Sequence, residues 1–172
     1  MFKLDYVKPE DAQGDIAKVY GIFPEGIPIP DPLQLCSVSP QILERQGEMI
    51  RYYMGHPKLE TGMMAMLRFY LANEDCFDFC IGFNAQLLKL AGGLTDGQLK
   101  ARQEDPAKAP LEDNEKALFL FAIQVSKDPG SVTQEQVDEL RAMGWTDQDI
   151  FDISAHAVNF LASSKLYRAF LK

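Results

Sequence analysis

The middle of the chain carries Glu74-Asp75-Cys76-Phe77-Asp78-Phe79-Cys80-Ile81-Gly82-Phe83-Asn84. Two of the three cysteines of the chain lie in this stretch, four residues apart. Apolar segments typical of helices precede it at residues 63–72 and follow it at residues 85–91. The pattern predicts a redox or ligand site at the beginning of a buried helix, with Cys76 and Cys80 as its candidate catalytic residues.

The spacing of these two cysteines limits what they can do together. Residues four apart on a regular helix have Cβ atoms about 5–6 Å apart, whereas a disulfide requires about 3.5–4.5 Å. Cys76 and Cys80 therefore bond only if Cys76 swings out at a frayed first turn. Glu74, Asp75 and Asp78 oppose a thiolate, because a nearby like charge disfavours a second anion. Buried packing and redox chemistry both stay open, and no histidine is close enough in sequence to complete a metal site.

Length and composition predict a single compact domain, 1–172. The chain has 172 residues, of which 47% are hydrophobic and 10% aromatic, so it is long enough for a sizeable core. The net charge of -8 argues against nucleic acid and anionic membrane surfaces as partners. No apolar run suits a signal peptide or a transmembrane helix, and three cysteines do not suggest a disulfide framework. We therefore expect a cytoplasmic protein.

Helical periodicity recurs along the chain, and no segment alternates like a half-buried strand, so the fold class is all-α, a multi-helix bundle. We expect Gly92-Gly93 to end the central helix, and the Thr95–Gln98 and Thr133–Gln136 capping boxes to begin two others. The predicted helices span residues 9–22, 40–54, 61–73, 76–90, 95–102, 113–127, 133–143 and 146–171.

The helix at residues 61–73 is apolar nearly all round, and Arg68 is its only clearly polar residue between 63 and 71. A helix of this kind is buried by its neighbours, in one chain or in several. The last helix adds further apolar residues, among them Ile153 and Val158. Together these helices predict a homo-oligomer, either a dimer or a trimer-based assembly.

Aromatic residues and one histidine are the remaining candidates for a site. Phe77, Phe79 and Phe83 form either a larger core or an apolar pocket for a small ligand. His156 lies among small apolar residues of the last helix, as a satisfied core or interface residue or as a partner of Cys80. No phosphate-binding loop or dinucleotide motif is present, so we expect no cofactor. The predicted pocket-lining residues are Phe77, Phe79, Phe83, Asn84 and His156.

Two segments, 79–85 and 89–96, resemble the alkylhydroperoxidase D-like / carboxymuconolactone decarboxylase family. They are similar to its core helix and to the Gly-Leu-Ser/Thr-Asp/Glu turn that follows, here Gly93-Leu94-Thr95-Asp96. Redox-active members carry a Cys-x-x-Cys pair with a histidine between the two cysteines. A second histidine follows the second cysteine by four residues, and a glutamate precedes the first cysteine by twelve. The resemblance implies an alkylhydroperoxidase D-like helical bundle and peroxidase or thiol oxidoreductase activity, with Cys80 as the second cysteine.

The other functional positions of that family hold different residues here. Phe77 stands at the first cysteine and Phe79 at the intervening histidine. Asn84 stands at the later histidine and Ala65 at the glutamate. Three functions stay open: a divergent peroxidase or thiol oxidoreductase, a decarboxylase-like lyase that in the family needs no cysteine pair, and a non-enzymatic oligomeric protein that binds a small apolar ligand or a partner.

Overall fold

The computed structural model describes residues 2–74 and 77–172, without the side chains of residues 91–92 and 101–104. Secondary structure in these residues is helical, apart from an isolated antiparallel bridge between Phe2 and Leu171, which confirms the all-α prediction. No helix in the described part of the chain is long and apolar enough to cross a membrane. The α-helices are α1 (Gly14–Tyr20), α2 (Asp31–Cys36), α3 (Pro40–Met54), α4 (Thr61–Glu74), α5 (Asp78–Gly92), α6 (Asp96–Glu104), α7 (Asp113–Lys127), α8 (Gln134–Ala142) and α9 (Asp147–Phe170).

The chain divides into two compact units. The first comprises Met1–His56 and Ser163–Lys172, and the second comprises Pro57–Ala162. In the first unit, α1 and α2 pack on α3 around a core that includes Tyr20 and Leu43. The hydroxyl of Tyr20 is not left unpaired in this core, because it donates to the carbonyl oxygen of Val7 at 2.7 Å.

Gly47 of α3 packs closely against Val19 of α1 and against Ile22, which follows α1. A Cβ atom at this position would lie 3.0 Å from Cγ1 of Val19 and 3.3 Å from Cδ1 of Ile22. These distances are shorter than ordinary contacts between carbon atoms, so the packing depends on the absence of a side chain. Gly47 is therefore a structural requirement of the first unit.

We expect Gly47→Leu to lower the free energy of unfolding by about 1–3 kcal/mol, because the new side chain must displace Val19 and Ile22. Gly82→Leu is the matched control. Gly82 lies within α5, and no heavy atom would come within 4 Å of its Cβ. Urea denaturation of the two variants checks the prediction, and a Gly47→Leu variant as stable as Gly82→Leu would contradict it.

The second unit is centred on α4, which packs against α5, α6 and α7. Its residues from Met63 to Leu67 and from Phe69 to Ala72 are all buried within a single chain. The prediction that this helix is buried is confirmed. Because the chain itself covers the helix, the apolar run does not require a second subunit.

The predicted first helix, 9–22, is wrong in its first half. A 3-10 turn at Pro9–Asp11 is followed by extended backbone at Ala12 and Gln13, with ψ of 131° and 162°. Helix α1 then begins at Gly14, whose φ of 57° is unfavourable for residues with a side chain. The glycine therefore marks a break between the two segments and not merely a weak position within one helix.

The central helix begins later than the predicted residue 76, because α5 starts at Asp78. The predicted N-cap, Asp75, and the candidate Cys76 lie outside the described residues. Phe77 occupies the N-cap position with φ of -104° and ψ of 83°, and it makes no side-chain capping bond. Its backbone N–H donates to the carbonyl oxygen of Ala72 at 2.9 Å, so it is tied to the end of α4.

The other predicted signals near the site are confirmed. Thr95 and Thr133 both form complete capping boxes with the glutamine three residues later. Gly93 ends α5 in the left-handed conformation, with φ of 61°, and its N–H donates to the carbonyl oxygen of Lys89 at 3.1 Å. Local sequence chemistry thus fixes both ends of the loop between α5 and α6.

Gly93→Val is expected to cost more than about 1 kcal/mol of stability, because a β-branched residue is strained in the left-handed conformation. Cys76→Ser exchanges one small side chain for another, and we expect it to cost less. Thermal melting of both variants measures the difference. Equal losses, or a larger loss for Cys76→Ser, would reject the prediction.

Candidate functional site

The candidate site lies in the second unit, where α5 packs against α4. The helix spacing of Phe77, Cys80 and Asn84 places one residue per turn on the same side of α5, and all three are buried. Asn84 is only 1% exposed, which is unusual for an amide side chain. A buried amide requires hydrogen-bond partners. Asn84 finds one in Arg68 of α4, which in turn contacts His156 of α9.

Arg68 connects the three helices. Its Nε donates to Oδ1 of Asn84 at 2.9 Å, and its Nη1 lies 2.9 Å from Nε2 of His156. The guanidinium can only donate, so Nε2 of His156 accepts and the proton of the neutral ring is on Nδ1. Nδ2 of Asn84 donates to the carbonyl oxygen of Cys80 at 2.8 Å. We call Arg68, Asn84, His156 and Cys80 the Arg68 cluster.

Burial sets the protonation of this cluster. Burial raises the pKa of the Cys80 thiol to about 12, although the positive charge of Arg68 opposes the shift. Burial, and then the Arg68 charge, lower the pKa of His156 to about 3. Burial also lowers the pKa of Arg68 to about 10. At neutral pH the thiol and the imidazole are therefore uncharged, and the guanidinium carries the single charge of the cluster.

No carboxylate among residues 2–74 and 77–172 forms an ion pair with Arg68. Buried and half-buried charges in proteins are generally paired, because removal of a charge from water is costly. The guanidinium has five N–H donors, and two of them are used by Asn84 and His156. Among residues 2–74 and 77–172, the remaining donors of this cation have no acceptor.

The structure brings together three of the residues that the sequence singled out, Cys80, Asn84 and His156. Phe77 is buried on the same side of α5. Phe79 and Phe83 are half-buried and lie on a neighbouring side of the helix, where their rings stack with centroids 6.2 Å apart. The candidate Cys76 is not among the described residues, so no cysteine pair can be assigned.

Arg68 is the residue that sequence reasoning did not assign to the site. The available signal was its position as the single clearly polar residue in an apolar helix. Ala65 lies one turn before Arg68, where the sequence resemblance would place a glutamate. It is buried and carries no proton-transferring group. Among the described residues, no group of three histidine, cysteine or acidic side chains is arranged to hold a metal ion.

Comparison with known proteins identifies the fold. No protein-family profile matches the chain, and no curated protein matches its sequence. The crystal structure of the alkylhydroperoxidase D core of an uncharacterized peroxidase-related protein from Ralstonia eutropha JMP134 is 17% identical, with a TM-score of 0.78 over 98% of this chain and 90% of that chain. An uncharacterized peroxidase-related protein from Silicibacter sp. TM1040 is 19% identical, with a TM-score of 0.74 over 89% of this chain and 81% of that chain.

The chain therefore has an alkylhydroperoxidase D-like fold, as its sequence predicted. At 17% and 19% identity, the two likenesses concern the fold alone. The names of both proteins contain the words peroxidase-related, which describe those proteins.

Proposed function

We propose that this protein is a non-peroxidatic, small-molecule-binding protein with an alkylhydroperoxidase D-like fold. The observation that carries the proposal is the Arg68 cluster, in which a charged guanidinium lies beside an uncharged thiol and an uncharged imidazole. The proposal is closest to the third function left open by the sequence, a non-enzymatic oligomeric protein that binds a small apolar ligand or a partner.

The state of Cys80 argues against peroxidase chemistry. A thiol attacks a peroxide as the thiolate, and a pKa of about 12 leaves almost none of it at neutral pH. His156 cannot supply a proton at neutral pH, because its pKa is about 3. Phe77 and Ala65 occupy the positions of the family's first cysteine and glutamate, and neither side chain transfers protons.

The decarboxylase-like lyase is the alternative, because its family needs no cysteine pair. A lyase that works by proton transfer needs a general base whose pKa lies near the working pH. The Nε2 lone pair of His156 already accepts a hydrogen bond from Arg68, and its low pKa makes it a weak base. Ultraviolet monitoring of a lactone substrate tests the lyase directly.

Peroxide consumption tests the proposed function. With a dithiol as electron donor, we expect the protein to consume alkyl hydroperoxides no faster than an ordinary free thiol, and Cys80→Ser to leave the rate unchanged. The expected result follows from the protonated thiol of Cys80. Catalytic consumption that is lost in Cys80→Ser would show that the protein is a peroxidase.

We also propose that the chain forms a homo-oligomer through α9. On this helix Phe151 is 72% exposed and Val158 is 46% exposed, and the two lie on the same side, seven residues apart. Phe151 also borders a surface cavity of about 260 Å³ between α7, α8 and α9. Contiguous exposed apolar patches are typical of association surfaces, and we propose that Phe151 and Val158 belong to one such patch. Sedimentation of wild type and Phe151→Glu at micromolar concentration tests this, and a monomer mass for both would exclude it.

A further inference from the structure

We infer that the ligand of the Arg68 cluster is a small organic carboxylate, bound by the Nη1 and Nη2 atoms of Arg68. This inference rests on the proposed function as a binding protein. It adds the chemical class of the ligand and the atoms that hold it.

The first argument is charge. Arg68 is charged at neutral pH, while its neighbours Cys80 and His156 are not. None of the described carboxylates pairs with it. A bound monoanion would neutralise the cluster, whereas an uncharged ligand would supply no counterion to a guanidinium that has none among the described residues.

The second argument is the number and position of the free donors. Asn84 takes the single N–H of Nε, and His156 takes one N–H of Nη1. One donor on Nη1 and two on Nη2 have no acceptor among the described side chains. One donor from each of these two nitrogens gives the pair of parallel hydrogen bonds by which arginine binds a carboxylate. Asn84 and His156 also hold the guanidinium in a fixed orientation for this contact.

The third argument is the apolar environment, which favours an organic anion over an inorganic one. The residues three and four positions from Arg68 along α4 are its neighbours on the helix surface. All four are apolar and buried, namely Met64, Ala65, Leu71 and Ala72. Phe77, the N-cap residue of α5, is also buried and lies one turn before Cys80. A strongly hydrated anion such as phosphate would lose its water shell here without gaining apolar contacts.

The experiment is a calorimetric titration of the full chain with benzoate and with benzamide, its uncharged analogue of similar shape. We expect benzoate to bind at least tenfold more tightly than benzamide, chloride or phosphate. Arg68→Met should weaken benzoate binding at least tenfold, because the methionine keeps an apolar side chain without the donors. Arg51→Met is the matched control and should bind as the wild type does, since Arg51 is exposed on α3 in the first unit.

Asn84→Asp provides a second variant that does not remove the guanidinium. The aspartate would accept from Nε of Arg68 and supply the missing negative charge, so benzoate binding should again fall at least tenfold. If Arg68→Met fails to fold, this variant and the benzoate–benzamide comparison in the wild type still decide the question.

Equal binding of benzoate and benzamide would overturn the inference, and so would unchanged affinity in Arg68→Met or Asn84→Asp. Binding of chloride or phosphate as tight as that of benzoate would replace the organic carboxylate by an inorganic anion. Absence of benzoate binding in a protein that also lacks peroxide turnover would refute only the ligand class. Catalytic peroxide turnover through Cys80 would refute the proposed function itself.

Discussion

Native Cys80 is expected to react with iodoacetamide about a thousandfold more slowly than the same cysteine in the unfolded chain. Alkylation proceeds through the thiolate, so its rate follows the thiolate fraction. Burial raises the pKa of Cys80 from 9.0 to about 12, which lowers that fraction by about three orders of magnitude at neutral pH. The positive charge of Arg68 lowers this pKa but does not outweigh burial. Removal of the charge in Arg68→Met should therefore slow the reaction further.

Single-cysteine variants measure this difference. The variant with Cys36→Ser and Cys76→Ser retains Cys80 alone, and mass spectrometry follows its alkylation with and without urea. The matched control retains Cys36 alone, a free thiol that is only half-buried and whose pKa burial also raises. We expect Cys36 to react faster than Cys80 in the folded chain. A native rate for Cys80 within tenfold of the unfolded rate would mean that its thiol is accessible and ionisable, and would reopen a redox role.

Helix ends could be predicted from sequence where one or two residues determine them. Thr95 and Thr133 are each followed three residues later by the glutamine that completes a capping box. Gly93 adopts the left-handed conformation, which residues with a side chain avoid. The start of α5 could not be predicted in this way, because Phe77 occupies the N-cap position without a capping side chain. Its place is set by burial and by its bond to the end of α4, which depend on tertiary packing.

The candidate site was predictable in part. The family resemblance selected Asn84, and residue type selected His156. Neither argument could predict that the two side chains bind the same arginine. Their common partner, Arg68, is 16 residues from Asn84 and 88 residues from His156 in sequence. Helical periodicity identifies the buried side of each helix, but it does not say which buried sides face each other. An isolated arginine in an apolar helix was therefore visible in the sequence, while its role as the centre of a cluster was not.

Acidification is expected to destabilise the protein through His156. The pKa of this side chain is lowered from 6.5 to about 3 in the folded protein. Between these two values the unfolded chain binds a proton that the folded chain does not, so stability rises with pH across this range. The contribution of His156 is therefore complete above pH 6.5 and is lost as the pH falls toward 3. With some allowance for the partial exposure of the ring, the loss amounts to about 3–4 kcal/mol.

His156→Gln isolates this contribution, because the amide oxygen of glutamine can accept from Nη1 of Arg68 and does not titrate. Acidic side chains also protonate in this range, so the informative quantity is the difference in urea stability between wild type and variant at each pH. We expect that difference to change by about 2–3 kcal/mol in favour of the variant between pH 7 and pH 4, because part of the full loss appears only below pH 4. His56→Gln removes the other histidine and leaves the Arg68 cluster intact, so it should follow the wild type. If wild type and His156→Gln lose stability in parallel, protonation of His156 is not opposed in the folded protein, and the ring is not held neutral beside Arg68.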